Sequence, residues 1–119
     1  MTGYEAAWAR FFALTTLTEL AVAVPFLGLC RQGAARTLLA VVVANFATHP
    51  FVWFFLARLG LSRLSLTLVA EPWALGFEAL IYVLVFPALP RSRAVAASAL
   101  ANAASFGLGI FAGPWLLRV

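Results

Sequence analysis

Charge is scarce in this chain, and so are the side chains that carry most enzyme chemistry. Of 119 residues only four are acidic, one is a histidine and one a cysteine, and charged residues make up 10%. A lone Cys30 excludes an intrachain disulfide and the cysteine pairs of zinc, haem or iron–sulfur centres, and reads as a small apolar residue at a helix end. Glycine loops of the kind that cradle phosphate are absent. One histidine and no Glu-x-x-His pair exclude a two-metal carboxylate bundle, which leaves His49 with Glu71 and Glu78 as the one conceivable metal arrangement. A membrane protease could use Ser98 or Ser105 with His49, but it lacks a third group and an oxyanion signature. No cofactor is expected, and an enzyme is the less favoured class.

Apolar residues fill the space that charge leaves. They make up 65% of the chain, with a mean hydropathy of +1.02, where a soluble domain has nearer half. A bilayer core about 30 Å thick needs roughly 20 helical residues per crossing, so the length holds four spans with short connections. They read as Trp8 to Leu29, Thr37 to Leu59, Leu64 to Phe86 and Ala94 to Leu117, separated by arginines with Gly or Pro. Continuous rather than alternating apolar runs exclude a closed β-barrel. The first run is too long, and too poor in early cations, for a cleaved signal peptide. Leu29 before Cys30 spoils a lipoprotein signal. The expected fold is all-α: residues 1–119 form one domain, a compact antiparallel bundle of four transmembrane helices.

All eight cations are arginines at span ends. Arg10, Arg58, Arg63 and Arg118 fall on one side, and Arg31, Arg36, Arg91 and Arg93 on the other. This tie leaves only a weak lean toward termini outside the cytoplasm and is compatible with insertion both ways. Cations dispersed at interfaces suit lipid headgroups rather than nucleic acid.

The polar residues crowd the middle of the spans, where they are expensive. At about 100° per residue they fall on stripes: Thr15, Thr18 and Glu19 in the first span; Asn45, Thr48 and His49 in the second; Thr67, Glu71, Glu78 and Tyr82 in the third; Ser98, Asn102, Ser105 and Gly109 in the fourth. Four such faces converge on one polar layer in the middle of the membrane. Glu71 and Glu78 are the first candidates to bind an ion or proton, with Glu19 beside them and His49 as relay or gate. Asn45, Thr48, Tyr82, Ser98, Asn102 and Ser105 form an orienting polar shell. The plainer reading is helix packing, in which Asn, Ser and Thr bond between helices and a glutamic acid that keeps its proton joins them.

Pro50 follows His49 and Pro72 follows Glu71, and each frees a carbonyl one turn back, so a hinge is expected at the first and a mid-membrane break at the second. Ala44-Asn45-Phe46-Ala47-Thr48 and Ala101-Asn102-Ala103-Ala104-Ser105 share an A-N-x-A-[S/T] pattern, as two copies of one hairpin would. Ala101, Ser105, Gly109 and Gly113 form a ridge of small residues against which another helix can lie closely.

Two function classes remain. One is an oligomeric transporter or channel whose glutamates bind protons or a small cation. The other is a membrane-embedded scaffold, accessory or assembly subunit of a larger complex. In size, four-span build and balanced arginines the chain resembles the small multidrug resistance and fluoride-channel groups, and a mid-span Glu19 resembles the former. The likeness is one of build, and no residue role follows from it. The expected setting is the inner membrane of a bacterial or archaeal cell, with the lipid bilayer and a second copy or another membrane subunit as partners.

Overall fold

The computed structural model describes residues 3–117, with Arg118 of the arginine count outside that range, and it is helical nearly throughout. Helix α1 spans Gly3–Leu27, a single turn α2 spans Leu29–Gln32, α3 spans Ala34–Phe54 and runs into a 3-10 turn at Leu56–Leu59, α4 spans Arg63–Val85 and α5 spans Arg91–Leu116. Four of these helices are long and apolar enough to cross a membrane. They start three to five residues before the apolar runs or nearly level with them, because interfacial residues such as Glu5, Arg36 and Arg91 extend the helical backbone past the apolar stretch. Gly28 (φ 77°) stops α1 and Gly60 (φ 68°) closes the 3-10 turn, both in left-handed backbone that side-chain-bearing residues avoid. Ser62 starts α4 by accepting from the Ser65 amide at 3.1 Å. Both helices stay continuous past their prolines: α3 runs on beyond Pro50 to Phe54, and α4 runs through Pro72 to Val85, where a break was expected. Loss of one backbone bond is carried by the intact turns on either side.

The four long helices form an antiparallel bundle. α1 lies against α3, where Tyr4 Oη donates to the Trp53 carbonyl at 2.5 Å, and packs most extensively on α5. There the small-residue ridge is used within the chain. A Cβ placed on Gly113 would touch Phe11 of α1 at 3.7 Å, and Arg10 donates to the Leu116 carbonyl at 3.1 Å. Gly109 departs from the ridge expectation, since a Cβ there would meet nothing within 4 Å.

Small residues fill the inside and large ones face out. In the half of the bundle nearest the α1–α3 and α4–α5 connections, Ala23, Ala40, Ala44, Ala94, Ala97 and Ala101 pack around Leu27, Val41, Tyr82 and Phe86. Leucines such as Leu39, Leu64, Leu68 and Leu84 are exposed. Small residues let helix backbones approach closely, a packing common among membrane-spanning helices. Arg36 seals this end, donating to the Val85 carbonyl with its guanidinium 5.5 Å from the Phe86 ring centre. The other half opens, and the polar layer lies between the two.

Candidate functional site

Glu19 of α1 and Glu78 of α4 meet at the centre of the bundle, each 1% exposed, with their carboxyls near enough to interact. Helix α3 brings Asn45, whose Nδ2 donates to Glu19 Oε2 at 2.7 Å and to the Val41 carbonyl at 3.1 Å. Helix α5 repeats the arrangement: Asn102 Nδ2 donates to Glu78 Oε2 at 2.7 Å and to the Ser98 carbonyl at 3.0 Å. One turn further along each helix the hydroxyls cross over. Thr48 Oγ1 reaches Glu78 Oε1 at 2.9 Å, and Ser105 Oγ reaches Glu19 Oε1 at 3.0 Å. Each carboxyl therefore takes an amide from its own hairpin and a hydroxyl from the other one. The A-N-x-A-[S/T] pattern supplies equivalent donors from both hairpins about an axis along the bundle.

The hydroxyls can serve either protonation state. Thr48 Oγ1 also lies 3.0 Å from the Ala44 carbonyl, and Ser105 Oγ lies 3.1 Å from the Asn102 carbonyl. A hydroxyl has one hydrogen and two lone pairs. Facing a carboxylate it donates inward. Facing a carboxylic acid it accepts the acid's hydrogen and turns its own to the backbone carbonyl. A proton can thus be gained or lost by rotating one hydroxyl, with no buried group left unpaired.

A cavity of about 610 Å³ leads from this layer to the end where α1 and α4 begin and α5 ends. Glu19, Glu78, Asn45, Thr48, Asn102 and Ser105 form its floor, Glu71, Thr67, Thr15, His49 and Phe106 its walls, and Phe11, Trp53, Arg63 and Pro114 its outer part. Seven of its residues, among them Trp53, Arg63 and Glu71, also border a second chamber of about 350 Å³, which Tyr4, Ala57 and Leu66 help to enclose. Beneath the floor lies the alanine-packed half, so the approach is from one end.

The remaining candidates fall around this centre. Glu71 is half-buried in the wall, within electrostatic reach of Glu19 and without a hydrogen bond to another described residue. His49 stacks on Trp53 (5.9 Å, 17°) and stands edge-on to Phe12, with no partner for its Nδ1 among the described residues. Tyr82 is fully buried below the cavity, its hydroxyl likewise unpartnered. Ser98 donates to the Leu75 carbonyl at 2.8 Å and joins α5 to α4 outside the cavity. Thr18 bonds back to the Leu14 carbonyl at 2.8 Å, while its neighbour Thr16 is buried instead. Neither Ser98 nor Ser105 bonds to His49, so no serine–histidine pair exists. Among the described residues no three His, Cys, Asp or Glu side chains gather into a metal-binding group. The direct pairing of Glu19 with Glu78 is the feature that sequence reasoning missed. Their identical surroundings, an acid in the first helix of a hairpin and A-N-x-A-[S/T] in the second, were the signal for it.

Comparison of the chain with protein-family models, with curated proteins and with solved structures finds no match to any of them.

Proposed function

We propose that the protein carries protons or a cation across the inner membrane of a bacterial or archaeal cell, with the Glu19–Glu78 pair as the group that binds and releases them. The observation that carries this reading is the doubled hydroxyl relay. Two buried carboxyls this near to each other disfavour a second negative charge, and Thr48 and Ser105 keep the layer bonded whether a carboxyl holds a proton or not. The cavity gives the pair access from one end only, as alternating access requires of any single state. Glu71 and His49 line the route to it. Four helices enclose little beyond this cavity, so the onward path runs between copies in an oligomer.

A second reading takes its support from the same layer. Every carboxyl oxygen of Glu19 and Glu78 has a donor, and acids bonded in this way also fix helix register in a scaffold or assembly subunit. Proton flux separates the two. In liposomes holding purified protein and a pH-sensitive dye, an imposed potential should drive proton movement. That movement should fall to the background of empty liposomes in Glu19→Gln and Glu78→Gln. Flux that persists in both variants removes the carboxyl pair from the mechanism. Absence of flux in the unmodified protein favours the scaffold.

A further inference from the structure

We infer that the sealed end of the bundle, where α3 and α5 begin, binds the headgroups of acidic phospholipids through Arg31, Arg91 and Arg93. The inference stands apart from proton or cation transport and uses none of the residues of the central layer.

The sequence divides its arginines evenly between the two ends, and the structure makes the two groups unlike. Arg31, Arg91 and Arg93 are exposed, with no side-chain hydrogen bond or ion pair to another described residue. Arg36 stands with them but is engaged, donating to the Val85 carbonyl beside the Phe86 ring. That contact ties the start of α3 to the end of α4, so the two connections at this end share one surface. No acid balances it. The chain's glutamates lie elsewhere: Glu5 at the opposite end, Glu19 and Glu78 in the central layer, and Glu71 in the wall of the cavity. At the opposite end, by contrast, Arg10 donates to the Leu116 carbonyl and Arg63 borders the cavity that Glu71 lines.

The helix starts point the same way. A helix leaves its first amide N–H groups without backbone acceptors, and at the open end the Ser62 hydroxyl supplies one for α4. At the sealed end the cap positions are Gly33 for α3 and Pro90 for α5, and neither gives a side-chain acceptor. A phosphate diester brings oxygens for those amides and for the guanidiniums together. Leu38, Leu39, Leu84 and Val95 are exposed on the helix faces next to this rim, in line for the acyl chains of the same molecule. The continuity of cationic rim and apolar flank selects a lipid over free phosphate. The lack of carboxylates selects an acidic lipid over a zwitterionic one, whose ammonium would find no counter-charge here.

The test is electron spin resonance of chain-labelled phosphatidylglycerol and phosphatidylcholine in phosphatidylcholine membranes that hold the protein, which measures the share of each lipid held at the protein surface. Phosphatidylglycerol should be preferred about fivefold. Arg91→Gln combined with Arg93→Gln should lower that preference to less than about twofold, and the paired lysine substitutions should retain most of it. Arg58→Gln combined with Arg63→Gln removes the same net charge from the opposite end and should leave the preference unchanged. All four of these arginines are exposed, so neither pair of substitutions disturbs the core. Equal affinity for the two lipids in the unmodified protein would overturn the inference. So would equal losses in the two glutamine pairs, which would show attraction to net charge and no site. Loss of the preference on adding soluble glycerol phosphate, beyond that caused by NaCl of equal ionic strength, would show a site for free phosphate and overturn it as well.

Discussion

Ser105 Oγ donates to Glu19 Oε1 at 3.0 Å and so ties the last helix to the first across 86 residues of sequence. Its counterpart, Thr48 to Glu78 at 2.9 Å, ties the second long helix to the third. Together with the two asparagine bonds these contacts link all four long helices through one pair of acids. The layer thus has two tasks that can be measured separately, holding the helices in register and holding a proton.

The equivalence of the hairpins predicts equal costs. Asn45→Leu and Asn102→Leu each remove the amide donor from one buried carboxyl, a loss of about 1.5–3 kcal/mol. Unfolding in mixed micelles should show similar destabilisation for the two, and less than the sum of both in the double variant, because the acids share one network. A large loss for one and none for the other would show that the two hairpins are not energetically equivalent.

Thr48→Val keeps the shape of the side chain and deletes the hydroxyl. It should cost about 1–2 kcal/mol of stability and slow proton flux on the order of tenfold, whereas Thr48→Ser should preserve both. Dye-reported flux in liposomes, set beside thermal unfolding of the same preparations, checks this. Undiminished flux in Thr48→Val would remove the hydroxyl from the relay.

Tyr82 should behave differently from the other polar residues near the layer. Its hydroxyl is buried with no partner among the described residues, so Tyr82→Phe should stabilise the bundle by about 1 kcal/mol and leave flux unchanged. Lost flux would return Tyr82 to the orienting shell in which its helical position placed it.

Two glycines should respond in opposite ways to alanine. Gly109→Ala adds a methyl in open space and a better helix former, with a gain of up to about 1 kcal/mol. Gly60→Ala forces a side chain into left-handed backbone and should lose about 1 kcal/mol. Unfolding midpoints of the two variants decide it.

The four long helices were legible because apolar runs of this length have few other uses, and the depth of Glu19, Asn45, Glu78 and Asn102 followed from their places within those runs. Partner choice was not legible. Glu71 and Glu78 lie seven residues apart on one stripe, and periodicity gives both the same azimuth. Depth separates them: Glu78 is level with the donors of α3 and α5, while Glu71, two turns nearer the open end, faces the cavity wall. Thr18 shares a stripe with Glu19 but finds its acceptor one turn back on its own helix, an option open to any helical threonine. Pro72 read as a break, yet the helical turns on either side carry α4 past it. The cavity was invisible because it depends on α3 and α4 packing less extensively on each other than α1 does on α5.

The central claim is that Glu19 and Glu78 act as one proton-holding pair, and infrared difference spectroscopy of the protein in lipid, recorded across a change of pH, tests it most directly. A single protonated-carboxyl band should appear or vanish with pH and be lost in Glu19→Gln and in Glu78→Gln alike. A band that survives either substitution unshifted would show that the two acids titrate independently, and would contradict the account.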